Sequence, residues 1–302
     1  MRALVVDHGS SGPVRFAEVD EPVPSRDEAL VEIRHIGLNF GELNYVDQWP
    51  AGAVHGHDAS GVVVRAAADG SGPPEGTRVV VGMSAHAWAE RVAVSPASLG
   101  TVPEGVELAD GAALGIAGVT ALRVLRTRSL LARDVLITGA SGGVGHFAVQ
   151  LAALAGARVT ALVGSPERAA GLRALGAAQV LTGLSGTESR FDLVLDTVGG
   201  PLLAEAWNRL AEGGALHVVG YSSGQDTTFP SGTLFGFGAP RTIATFGDMT
   251  PTSAELTDLL DLMAAGRLSA PVGRRGVWQD VGDAVQALFA RQVHGKIVLD
   301  VV

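Results

Sequence analysis

Residues Asp134 to Gly156 read Asp-Val-Leu-Ile-Thr-Gly-Ala-Ser-Gly-Gly-Val-Gly-His-Phe-Ala-Val-Gln-Leu-Ala-Ala-Leu-Ala-Gly, and the fold follows from them. Val135, Leu136 and Ile137 form a short apolar run of the kind buried in a parallel sheet, and Gly139 ends it with a residue that tolerates positive φ. Val144, Phe147, Ala148, Leu151 and Leu154 then recur at helical spacing, so one face of a helix can lie on the sheet. Between strand and helix, Gly142, Gly143 and Gly145, with Ser141 and Val144 among them, let the backbone approach a ligand closely. The free N–H groups of the first helical turn face any anion there, and a pyrophosphate fits. The competing reading is a tight strand-to-helix turn with no ligand.

Arg158 to Val163 reads as the next strand, and the residue after it reports which adenine ribose is bound. A carboxylate there would accept from a ribose 2′-hydroxyl, but the chain continues Gly164-Ser165-Pro166-Glu167-Arg168. Gly164 leaves room, Ser165 offers a hydroxyl, and Arg168 offers a forked cation suited to phosphate, which favours NADP(H) over NAD(H). Two alternatives stay open: Arg168 as a solvated charge on a helix from Pro166 to Leu175, and Glu167 swinging toward the ribose.

The remaining chain alternates in kind. From Met1 to about Leu99, short strands are expected at Ala3–Val6, Val14–Glu18, Ala29–Ile36, Gly61–Arg65, Arg78–Val81 and Trp88–Val94, with proline- and glycine-rich breaks between them. A helix is expected over Leu108 to Leu125. Beyond it, strands at Val135–Thr138, Arg158–Val163, Gln179–Leu181, Leu193–Asp196, Ala215–Val219 and Thr242–Thr245 alternate with helices, making an α/β doubly wound parallel sheet. Val198 and Gly199 follow one strand, and Gly220, Tyr221 and Ser222 follow another, at the carboxyl edges where ligands bind in such sheets. Each is otherwise an ordinary glycine-rich turn. Helices at Ala254–Ala264 and Val281–Arg291 precede a last strand in His294–Val302, which has no slot in a six-strand sheet and is expected to return to the amino-terminal β region. The division is therefore 1–108 with 251–302 as one domain and 109–250 as the nucleotide-binding domain.

At 302 residues the chain can bury a substantial core, and with 47% hydrophobic residues it holds no apolar run of membrane-spanning length. Asp7 interrupts the amino terminus too soon for a secretory signal, so a cytoplasmic protein is expected. There are no cysteines, which removes disulfides, thiolate metal sites and cysteine nucleophiles. A net charge of -9 without a basic stripe argues against nucleic acid. Arginine carries nearly all the positive charge, and Lys296 is the only lysine.

Gly37-Leu38-Asn39-Phe40, Gly56-His57-Asp58-Ala59-Ser60-Gly61-Val62-Val63, Thr120-Ala121-Leu122, the loop from Gly139 to Gly145, Asp196-Thr197-Val198-Gly199 and Gly295-Lys296-Ile297-Val298-Leu299 occur in this order. In that order and spacing they resemble the medium-chain dehydrogenase/reductase superfamily, and within it the zinc-independent quinone oxidoreductase branch, which includes enoyl reductases. The resemblance implies a GroES-like β domain with a Rossmann NADP(H)-binding domain inserted, a homodimer paired through the edge strand Thr242–Phe246, and Thr120 near the nicotinamide carboxamide. For Thr120 a helix residue bonding its own backbone is the alternative. Alcohol dehydrogenases of the superfamily hold catalytic zinc at positions that fall here on Asn39, His57 and Ile116. One imidazole cannot hold it, because catalytic zinc needs about three protein ligands, and no metal site is expected. His57 then reads as a hydrogen-bonded structural histidine or, alternatively, a catalytic one. The quinone reductases often carry a tyrosine shortly after the Asn39 position, where this chain has Asn44 and Tyr45.

Without a metal, a conjugated acceptor is easier to reduce than an isolated ketone, because the developing charge spreads to an oxygen that a few N–H or O–H donors stabilise. The expected function is NADPH-dependent reduction of a quinone or an α,β-unsaturated carbonyl compound, with Asn39 and Tyr45 as the donors. A narrower form is an enoyl reductase on a polyketide-like intermediate. The aromatic loop Phe229 to Gly238 either borders a flat substrate or packs between subunits. The alternatives are a cofactor-binding protein without turnover and, last, a zinc alcohol dehydrogenase.

Overall fold

The computed structural model describes residues 1–9 and 12–302. They form two compact units, Met1–Val119 with Met249–Val302, and Thr120–Asp248. In the first unit β1 (Arg2–Val6) pairs antiparallel with β2 (Val14–Glu18). There follow β3 (Ala29–Leu38), α1 (Phe40–Asn44), β4 (Asp58–Arg65), β5 (Arg78–Val81), β6 (Arg91–Val94) and β7 (Leu99–Thr101). The strand expected from Trp88 starts only at Arg91, because Trp88 bonds elsewhere: its N–H donates to the His55 carbonyl and its own carbonyl accepts from Leu4. β7, which the sequence reading did not separate from its surroundings, pairs with β5.

The single helix expected over Leu108 to Leu125 is two, α2 (Leu108–Gly111) and α3 (Ala117–Leu125). Between them the Ile116 N–H leaves the helical ladder to donate to Asp58 Oδ1 at 2.7 Å. A Cβ on Gly115 would lie 2.3 Å from that same oxygen, so only glycine fits there. α2 packs on β3, β4 and β5 and therefore belongs with the β unit, which carries the boundary past the expected position at 108 to Val119.

The second unit contains β8 (Asp134–Thr138), α4 (Gly143–Leu154), β9 (Arg158–Leu162), β10 (Ala177–Leu181), β11 (Phe191–Asp196), α5 (Gly200–Asn208), β12 (Leu210–Val218) and β13 (Thr242–Thr245). The six strands are all parallel, in the order β10-β9-β8-β11-β12-β13. The apolar runs of the two central strands, β8 and β11, are buried, as strands with both faces covered must be: Val135, Leu136 and Ile137, and Leu193, Val194 and Leu195, are fully buried. The chain leaves β8 for one side of the sheet and β11 for the other, so the crevice at their carboxyl ends is the topological switch point. The helix expected from Pro166 to Leu175 is only a short 3₁₀ turn, Pro166–Ala169. Ala170 becomes extended at ψ 136° and Gly171 turns at φ +78°, which ends it.

The chain then returns to the first unit with α6 (Ser253–Ala264), β14 (Val272–Val277), α7 (Val281–Phe289) and β15 (Lys296–Asp300). The expected final helix stops two residues early, because Arg291 takes φ +59°. As expected, the last strand joins the β region: β15 pairs antiparallel with β3, Ile297 opposite Leu38, in a sheet ordered β14-β15-β3-β4-β5-β7, with β6 also on β3. β14, not anticipated, is an edge strand whose Arg274 and Arg275 break the apolar pattern. The core of this unit gathers Ile33, Ile36, Val79, Val81, Trp88, Trp278, Ile297 and Leu299. Among the described residues, no helix is long and apolar enough to cross a membrane.

Candidate functional site

In the second unit the carboxyl edge of the sheet collects most of the residues singled out from sequence. β8 ends at Gly139, which turns at φ +59° where a Cβ would meet Thr197 Oγ1 at 2.2 Å. Gly142 caps α4 without a side-chain partner, and Gly142, Gly143 and Val144 are partly exposed. In a helix of twelve residues the N–H groups of that first turn have no helical acceptor, and they are open to an anion. Gly145 has a different task. A Cβ on it would sit 2.4 Å from the Gly139 carbonyl oxygen, so its lack of a side chain lets helix and strand pack closely.

At the end of β9, Gly164 is exposed, and a Cβ added there would meet nothing within 4 Å. The Arg168 Nε donates to Ser141 Oγ at 2.7 Å, which draws the guanidinium from the β9 side onto the α4 loop. Glu167 is fully solvated, and the Ser165 hydroxyl holds its carboxylate below the usual range. The β11 and β12 ends are stitched together. Buried Asp196 accepts from Thr138 Oγ1 at 2.5 Å and from the Gly199 N–H at 2.8 Å, and burial pushes its pKa up against those bonds. The Ser222 N–H donates to the Thr197 carbonyl at 3.1 Å, and Tyr221 packs over Gly199, where a Cβ would come within 2.7 Å of the ring. Ser141, Gly142, Gly143, Val144, Gly145, Gly164, Ser165, Arg168, Val198, Gly199, Gly220, Tyr221 and Ser222 thus share one sheet edge, whereas Thr120 is buried in α3.

The first unit holds a second constellation, of which the sequence reading named only part. Asn39 follows β3, Asp58 opens β4 and Lys296 opens β15; because β3 pairs with both neighbours, all three converge at one end of the sheet. Lys296 Nζ donates to Asn39 Oδ1 at 2.5 Å and to Asp58 Oδ2 at 3.0 Å. The side chains of Lys296 and Asp58 are 3% and 0% exposed. Asn39 Nδ2 donates to Asp58 Oδ2 at 2.8 Å and to Glu42 Oε1 at 3.1 Å, so both amide hydrogens are committed within the protein. Glu42 reaches back to the Asn39 main-chain N–H at 2.7 Å, as the third residue of a capping box does. Burial first, then the neighbouring Asp58 charge, pushes the Glu42 carboxyl up to about 8, against the pull of Lys296 and the two Asn39 donors. Glu42 Oε2 is buried and has no hydrogen-bond partner among the described residues.

Tyr45 ends α1 and is 43% exposed. His55 Nε2 lies 3.0 Å from the Glu42 carbonyl, and the rings of Trp49 and Trp88 stand edge-on to it at 5.5 and 5.3 Å. His57 is buried beside Trp49. Burial holds both imidazoles below their ordinary range. Glu42, Asp58 and Lys296 are the residues sequence reasoning missed. The one available signal was that the only lysine of an arginine-rich chain lies in an apolar strand.

Two family models match the chain, the alcohol dehydrogenase GroES-like domain over residues 25–127 and the zinc-binding dehydrogenase over 143–265. Over 95% of its length the chain is 26% identical to rat quinone oxidoreductase-like protein 2, covering 89% of that protein. It is 26% identical to the acryloyl-coenzyme A reductase of Metallosphaera sedula, over 99% of both chains. It is 34% identical over 98% of its length to erythronolide synthase EryA2 of Saccharopolyspora erythraea, but spans only 9% of that synthase. A mycobacterial protein solved with NADPH superposes with a TM-score of 0.86 at 25% identity, covering 99% of this chain and 100% of that one.

The donor set does not fit the zinc that one model's description carries: Asn39 Oδ1 is engaged by Lys296, Ile116 contributes an apolar side chain, and His57 is left alone. Among the described residues no three His, Cys, Asp or Glu side chains are grouped to hold a metal ion. With a GroES-like β unit, an inserted parallel nucleotide-binding sheet and matches to both family models, the chain belongs to the medium-chain dehydrogenase/reductase superfamily.

Proposed function

We propose that this chain is an NADPH-dependent reductase of an activated carbon–carbon double bond or a quinone. The observation that carries the reading is Arg168 drawn onto Ser141 beside the empty space at Gly164, with the uncapped first turn of α4 next to it. The α4 N–H groups would hold the pyrophosphate, and Arg168 with Ser165 would hold a 2′-phosphate that a carboxylate at Gly164 would repel. The NADPH in the mycobacterial structure supports the same choice. When bound, the dihydronicotinamide supplies a hydride. The chain's own residues orient the cofactor through Val198, Gly199, Gly220, Tyr221 and Ser222, whose loops are locked by Asp196.

A site without metal donors suits an acceptor that spreads its charge by conjugation. The names of the acryloyl-coenzyme A reductase and the quinone oxidoreductase-like relative agree with that class, and the erythronolide synthase supports the narrower form, an enoyl reductase on a polyketide-like intermediate. Tyr45, half exposed at the end of α1, is the side chain available to face the acceptor oxygen. Asn39, with both amide hydrogens engaged, holds its neighbours instead. That engagement favours a second reading, cofactor binding without turnover. A homodimer is proposed through β13, an edge strand carrying the partly exposed Ile243. The function is tested by mixing protein and NADPH with a panel of quinones, enals and cyclic enones. Oxidation of NADPH by at least one supports the reading, and none with the cofactor demonstrably bound favours the second.

A further inference from the structure

Glu42 is a half-buried acid whose carboxyl oxygen Oε2 is out of contact with water, and the function proposed above has no use for it. It lies on α1 between Asn39 and Tyr45, three residues from each. Its cluster contains two carboxyl groups, Glu42 and Asp58, and one cation, Lys296, so ionising both acids would leave an uncompensated negative charge away from water. One carboxyl must keep a proton. Asp58 receives three donors, the Ile116 N–H, Asn39 Nδ2 and the Lys296 ammonium, whereas Glu42 receives only the two neutral N–H groups of Asn39. The proton therefore belongs to Glu42. Both of those donors point at Oε1, so it sits on Oε2.

That hydroxyl is buried, and no atom of the described residues accepts from it. A buried donor of this kind is ordinarily met by a water. Outside the cluster, His55 is bonded to the Glu42 carbonyl and held neutral by burial, and its nitrogen near Glu42 is turned to the main chain rather than to Oε2.

We propose that the Glu42 carboxyl is the proton store for carbon protonation in the reduction of an enone, delivering through a water on Oε2; this rests on the reductase reading. The balance is simple. A hydride from the nicotinamide donor forms a C–H bond at the β carbon and breaks the C=C π bond, whose electron pair moves to the carbonyl oxygen. The Oε2 proton passes through the water to the α carbon as the C=C–O⁻ system collapses to the ketone, and solvent returns a proton to the carboxylate. One proton is consumed per double bond. The short capping bonds to Asn39, which Lys296 and Asp58 fix in turn, keep the acid in place.

Two measurements test this. In ligand-free protein carrying ¹³C at the glutamate carboxyls, with Glu42→Gln identifying the resonance, Glu42 is expected to remain protonated at pH 7; a carboxylate shift there overturns the proposal whatever the enzyme reduces. With NADPH and 2-cyclohexen-1-one, Glu42→Gln is expected to lower kcat about 100-fold or more with little change in KM. The wild type is expected to lose kcat as pH rises past the titration of Glu42, a fall that should vanish in Glu42→Gln, and Glu42→Asp should restore part of the rate. A Glu42→Gln enzyme that folds, binds NADPH and reduces the enone within about twofold of wild type, below any general-acid contribution, also overturns it. If the wild type oxidises NADPH with none of the quinones, enals or enones tried, the reductase reading fails, and the titration still decides whether the stored proton exists.

Discussion

Lys296→Met isolates the ion pair at the centre of the β unit. The substitution keeps the apolar stem and removes the ammonium from a place where it is 3% exposed, leaving Asp58, fully buried, with only the Ile116 and Asn39 N–H groups. Were this a surface pair, its loss would cost about 0–1 kcal/mol. Removing one partner of a buried pair strands the other charge, and the expected cost is about 3–5 kcal/mol. Trp49, Trp88 and Trp278 all lie in this unit, so urea unfolding followed by fluorescence in a Trp207→Phe background reports on it. With a denaturant slope of about 3 kcal/mol/M, the midpoint should fall by about 1 M or more. The double variant Asp58→Asn/Lys296→Met removes both charges together and should recover most of the loss, giving a coupling energy of about 2 kcal/mol or more. A Lys296→Met protein destabilised by less than about 1 kcal/mol, with no coupling to Asp58, would refute the reasoning.

Glu42 gives a pH dependence of known sign. Its folded pKa of about 8 lies above the ordinary 4.5, so the folded state keeps a proton that the unfolded chain releases. The stability it contributes is full below the unfolded pKa and is lost as pH rises through the folded one. The loss is at most about 5 kcal/mol, and in Glu42→Gln the stability curve from pH 5 to 8 should be flatter. Arg168→Ala should weaken NADPH binding by about 10–100-fold, the worth of a charge-assisted bond to phosphate, and leave NADH little changed; Gly164→Asp should turn the preference toward NADH, both read by equilibrium titration. Gly145→Ala would put a Cβ 2.4 Å from the Gly139 carbonyl oxygen and 2.6 Å from Ala140 Cα, both main chain. It should cost about 1–3 kcal/mol in thermal unfolding and weaken both dinucleotides alike.

The parallel sheet was legible because most of its strands are short apolar runs alternating with helices, with the glycine loop at Gly139 to Gly145 marking the first strand-to-helix turn; the strand order was not. Local pattern failed where distant residues decide. Leu108 to Leu125 is periodic enough for one helix, yet Asp58, 58 residues before Ile116, captures the Ile116 N–H and breaks it. Pro166 to Leu175 has helical composition, but Gly171 turns left-handed before a second turn can form. β14 carries its charges at the sheet edge, where no apolar alternation is required. The Asn39 amide looked like a free donor because its partners, Asp58 and Lys296, lie in strands 19 and 257 residues away. Asp58 and Lys296 stood inside recognisable motifs, but nothing in their neighbours in sequence says that they meet.

Everything proposed about the reaction depends on an anionic dinucleotide held by the α4 loop with its 2′-phosphate against Arg168. Isothermal calorimetry of the purified chain with NADPH and with NADH measures this directly. The expected result is one site per chain with NADPH bound tighter than NADH by about tenfold or more. Equal affinities would contradict the role given to Arg168, and no heat of binding with either dinucleotide would contradict the account as a whole.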